Sequence, residues 1–151
     1  MWRAILKTTL IAGTLDIIAA CLQAYLVKET MPAVVLKFIA SGVYGKTAFE
    51  GGYEMMAIGL FFHFVIAFAC TVIFFFLYPK LNFLKHSILL NSLLIALSAW
   101  TVTTQIIIPA SKIQPGVFNL GKALIAAGIL FLCIGLPVSW FTKKYYSNKS
   151  S

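Results

Sequence analysis

Asp16 stands in the middle of an apolar run, where an ionised carboxylate costs at least ~2.5 kcal/mol if the run crosses a bilayer. Around it, at helical spacing, are Thr9, Gly13, Ala20 and Gln23, a stripe of small and polar side chains. Small residues let another helix approach closely, so this stripe is expected to face protein rather than lipid. A second apolar run carries Gly59, His63 and Ala67 in the same way, and a third carries Ser87, Asn91, Ser98, Thr101 and Gln105. A fourth places Gly121, Gly128 and Gly135 seven apart, as a groove for close packing. At 1.5 Å per residue, Asp16 lies roughly 16 Å, His63 roughly 14 Å and Ser98 roughly 15 Å from the same side of the bilayer, so the three are expected at one level. An Asp–His contact there eases burial of the carboxylate and holds a proton between the two groups. Two readings stand side by side. Asp16, His63 and Ser98, supported by Gln23, Asn91, Thr101 and Gln105, are either a polar glue between helices or a relay for a proton or cation.

Composition says what must position these groups. Hydrophobic residues make up 61% of the 151 residues and charged residues 11%, and the mean hydropathy is +0.95. A soluble domain is about 45–50% apolar and about 25% charged, and a chain this short cannot hide the excess inside. Four stretches, 4–27, 54–78, 87–108 and 117–141, are long enough to cross a ~30 Å hydrocarbon core. Helices are the form such runs take, because backbone polar groups in lipid must be satisfied within the element. The expected fold is therefore all-α: a single transmembrane domain over 1–151, built as a four-helix bundle. Tyr25 and Tyr53 fall at one membrane boundary, and Trp2, Tyr78, Trp140, Tyr145 and Tyr146 at the other, as in an aromatic belt.

Lysine and arginine set the orientation. Arg3, Lys7, Lys80, Lys85, Lys143, Lys144 and Lys149 lie on the side of the two termini. Lys28, Lys37, Lys46, Lys112 and Lys122 lie on the other side, with Glu29, Glu50 and Glu54. The bias places both termini in the cytoplasm. The net charge of +8 is spread between apolar runs rather than gathered in a patch, which argues for lipid headgroups as the counter-charge and against nucleic acid.

The link from Lys28 to Tyr53 is too long for a simple hairpin. Thr30 and Pro32 read as a helix start and Gly42 as its stop, so a short interfacial or re-entrant helix is expected over about 32–41. Ala40-Ser41-Gly42-Val43-Tyr44-Gly45-Lys46-Thr47 fits a relaxed P-loop pattern, but no strand delivers it and no second acid follows, so no nucleotide is expected. Ile18-Ala19-Ala20-Cys21 has the form of a lipoprotein cleavage box, yet Asp16 interrupts the run before it and Leu22 to Val27 stay apolar after it. A retained span is the expectation. Cys21, Cys70 and Cys133 stand singly in apolar runs and read as small buried hydrophobes. No metal-ligand spacing, no cofactor motif and no catalytic set is present. His86 reads as an interfacial residue, Lys122 as a side chain that snorkels outward, and Trp100 as packing. A lipid- or quinone-acting enzyme remains a further alternative, built on Lys46, Glu50 and Glu54 of the long loop. The bilayer is the expected partner, with a homo-oligomer or a larger membrane complex around it.

From His63 onward the chain resembles the YagU-like inner-membrane proteins. The likeness rests on His63 near the start of a span, Pro79-Lys80 at its end, Ala99-Trp100 in the next span, then Pro109 and Pro115-x-x-Phe118-Asn119-Leu120. Where those relatives carry a histidine in the third span, this chain has Thr104. The resemblance implies a bacterial plasma-membrane location and assigns no reaction.

Overall fold

The computed structural model describes residues 1–112 and 120–149, and among these every regular element is helical. Four helical rods are long and apolar enough to cross a membrane: Trp2–Lys28, Tyr53–Leu77, Ile88–Ile106 and Leu120–Asn148. The protein is a multi-pass membrane protein of the all-α, four-helix kind. Two features in the sequence analysis, the start of the fourth span at Val117 and the Pro115–Asn119 motif, lie outside the described residues.

The first rod, α1 (Trp2–Lys28), ends where Glu29 turns left-handed at φ 52° and the backbone N–H groups of Glu29 and Thr30 return to the carbonyls of Tyr25 and Ala24. That closure satisfies carbonyls the helix would leave bare. Pro32, whose fixed φ suits a first helical position, opens α2 (Pro32–Tyr44). α2 is longer than the expected 32–41, because Gly42 does not stop it. The turn comes at Gly45, whose φ of 65° only glycine adopts without strain. A single helical turn, α3 (Thr47–Glu50), leads into α4 (Tyr53–Leu77). The P-loop-like stretch is thus mostly helix, with Ala40 and Ser41 buried.

Past Pro79 a 3-10 turn (Asn82–Lys85) leads to α5 (Ile88–Thr101), capped by Ser87 Oγ, which accepts the Leu90 N–H at 3.3 Å. α5 continues without a break through a π-helical turn (Val102–Ile107) into α6 (Ile108–Ala110). The last rod is likewise interrupted. α7 (Leu120–Leu130) passes through a second π turn (Phe131–Gly135) into α8 (Leu136–Lys149). Each π turn ends two residues before a proline, Pro109 or Pro137. A proline inside a helix removes one backbone donor and crowds the carbonyl four residues back, and widening the preceding turn relieves both. Pro109 therefore lies within the third helical rod, just past its widened turn. The fourth rod also runs well past the expected end at Phe141.

The bundle has two unlike ends. At the end holding both termini, Phe74, Tyr78, Leu84, Ile95, Ile134 and Val138 form the main buried cluster. Tyr78 stacks on Tyr146 at 5.4 Å and is 4% exposed, so it belongs to this core and not to an interfacial belt. Because the unfolded spans also sit in lipid, close packing and hydrogen bonds hold the helices together, not transfer from water. Gly135 supplies a close approach at this end, since a Cβ there would strike the Ser92 backbone of α5. At the other end α2 lies along α4, and a Cβ on Gly59 would strike the Leu36 carbonyl of α2.

Candidate functional site

Gly13 on α1 and His63 on α4 form the join between the first two rods. A Cβ on Gly13 would lie 2.7 Å from Phe64 Cε1, so only a bare Cα lets α4 come this near. The same closeness exposes the Gly13 carbonyl to His63 Nε2 at 2.9 Å. A carbonyl only accepts, so Nε2 carries a proton and donates it to Gly13. Asp16 Oδ2 stands 4.0 Å from the same Nε2, beyond hydrogen-bond length and within the range of a direct charge interaction. The ring of His63 meets Phe64 edge-on at 5.5 Å. One stripe of α1 thus meets one stripe of α4 as the residue spacing implies, with Gly13 and Ala67 buried between them.

Both ionisable side chains border a cavity of about 680 Å³, half enclosed and mostly apolar in lining. Ala20 and Gln23 continue the α1 wall, and Ala67 and Cys70 the α4 wall. Ala99, Trp100, Thr103 and Thr104 form the opposite wall from α5 and its π turn, while Phe38 and Gly42 of α2 close the loop end. Thr104 Oγ1 donates to the Trp100 carbonyl at 2.8 Å, giving that acceptor a side-chain partner within the widened turn. Trp100, Thr103, Thr104 and the α2 residues are the lining groups that sequence reasoning did not place here. Pro109, through the π turn before it, was a signal for Thr103 and Thr104.

The third span needs correction. Ser98 is exposed and does not border the cavity, and Thr101 and Gln105 face outward with it. Asn91 is fully buried but serves the terminal end, where its Nδ2 donates to the Leu84 carbonyl of the 3-10 turn. Beside it Ser92 and Ser139 both donate to the Ile88 carbonyl, at 2.7 and 3.2 Å. The polar stripe is continuous along the helix, and its cover is not. The 3-10 turn covers Asn91, whereas among the described residues no element covers Ser98 seven residues on. Gly135 packs as expected, but Gly128 has nothing within 4 Å and Gly121 is exposed, so the fourth-span groove is used only at its last glycine.

Lys46, Glu50 and Glu54 are exposed, and none of them borders the cavity. Cys21, Cys70 and Cys133 are free thiols, each half-buried. Among the described residues no three His, Cys, Asp or Glu side chains are grouped to hold a metal ion. No family model, no curated protein and no solved structure matches this chain.

Proposed function

We propose that this chain is a non-enzymatic carrier of a proton or cation, with Asp16 and His63 as the binding pair. Both termini lie in the cytoplasm, and the α2 end faces outward. The cavity supports this reading: it runs from the buried pair to Ala110 and Ser111 at the α2 end. A carboxylate that served only as glue would be sealed by the helices it joins, not left beside open space. The excess of lysine and arginine at the terminal end supports the orientation. The likeness to YagU-like proteins supports a plasma-membrane location. Four helices with a mostly apolar interior enclose little polar path, so the carrier works as a homo-oligomer or within a larger complex.

In proteoliposomes the Asp16→Asn variant is expected to abolish a proton- or cation-dependent flux while the bundle stays folded. Unchanged flux in that variant ends the carrier reading. One observation favours the second reading, in which the pair is structural: the His63–Gly13 bond fastens α4 to α1. In that case His63→Ala and Asp16→Asn both lower the melting temperature, and there is no flux to lose.

A further inference from the structure

We propose that the cation held at Asp16 is an organic one, an amine or quaternary ammonium on an apolar body, which enters from the bilayer between α4 and α5. This rests on the carrier reading above and names its substrate class.

Charge comes first. Among the described residues no lysine, arginine or glutamate lines the cavity, so Asp16 and His63 are its charge-bearing groups. His63 spends its Nε2 proton on Gly13, and among the described residues nothing donates to the Asp16 carboxylate. An acceptor of this kind in an apolar chamber calls for a guest that brings positive charge or a donor.

The walls then select the kind of cation. Phe38, Phe62 and Trp100 line the chamber, and the faces of aromatic rings attract cations that have shed their water. A small inorganic ion would lose its hydration shell there and find few oxygen ligands in return. A cation with its charge spread over an apolar body loses much less. The volume of about 680 Å³ also falls in the range that encloses a whole small ligand.

The opening decides the route. Phe38, Val43, Val65 and Ile106 are at once cavity-lining and exposed, which marks them as its rim. α4 and α5 make little contact with one another, although Phe74 and Tyr78 share a buried cluster with Ile95 at the terminal end. Val65 lies about 18 Å along α4 from Tyr53, deep in the hydrocarbon of a ~30 Å core. A rim of carbon at that depth admits what is already dissolved in lipid.

The test uses the full chain in nanodiscs with tetraphenylphosphonium as the probe, by equilibrium dialysis. Saturable binding is expected, weakened at least about tenfold in Asp16→Asn and recovered in Asp16→Glu. Dodecyltrimethylammonium should displace the probe, and uncharged triphenylphosphine oxide should not. Because Asp16→Asn bears on the α1–α4 join, Thr103→Trp provides a second arm. It narrows the chamber, leaves the carboxylate in place and should also weaken binding at an unchanged melting temperature. Equal displacement by the uncharged analogue, or an unchanged Kd in Asp16→Asn, overturns the proposal. Asp16-dependent proton flux without any saturable probe binding overturns it and leaves the carrier reading standing. Asp16-dependent binding without flux of any cation supports it and removes the carrier reading.

Discussion

The two ends of the bundle solve opposite problems with similar residues. The terminal end is close-packed: Phe75 and Val138 are fully buried, and the polar side chains of Asn91, Ser92, Ser139 and Thr142 are buried with them. There, Asn91, Ser92 and Ser139 hydroxyl or amide groups are turned onto backbone carbonyls. The α2 end keeps an ionisable pair beside open space and lets α4 and α5 part. A bundle that is already held at one end can leave the other unfilled. Polar residues tied to backbone serve as fasteners, while a polar residue left with spare bonding capacity at a cavity wall is available for a guest.

The comparison breaks most visibly in the packed end. Phe75→Ala removes a fully buried ring and should cost about 3 kcal/mol, the low side of the usual range because the unfolded spans remain in lipid. Reversible unfolding in mixed micelles reads this directly, and a cost under about 1 kcal/mol would mean that the end is not close-packed. Gly135→Ala should follow at about 2 kcal/mol, since its new methyl meets the Ser92 backbone and backbone yields little. In the open end, Thr103→Phe should change stability by less than about 1 kcal/mol, because the chamber has room for the ring. A large loss there would show that the space is closed in the folded protein. Smallest of all, Ser98→Leu should stay within about 0.5 kcal/mol of the parent chain, as expected for an exposed position. If that variant instead dissociates an oligomer in size-exclusion chromatography, the outward face of α5 is a contact between copies.

Much of the architecture was legible beforehand. The four spans follow from run length and composition, and the Asp16 and His63 stripes meet because small residues at helical spacing mark the faces that can approach. The α1 positions Gly13, Ala20 and Gln23 and the α4 position Ala67 fall where that pattern places them, whereas Gly59 packs against α2 instead of α1. The third span was misread because periodicity reports which side of a helix a residue occupies, not what stands opposite. Asn91 and Ser98 share a face, and only one of them has a neighbour. Gly121 and Gly128 failed for the same reason, as a groove needs a ridge to fill it.

From residue order alone came membrane insertion, the number of crossings, and a carboxylate and an imidazole at one depth. Those depend on local quantities: hydrophobicity summed along a run, and rise per residue. Whether the pair would be sealed or left beside a chamber depended on how far α4 stands from α5, on α2 folding back along α4, and on two π turns. Distances between rods far apart in the chain arise from the packing of all of them together, and no single stretch carries that information.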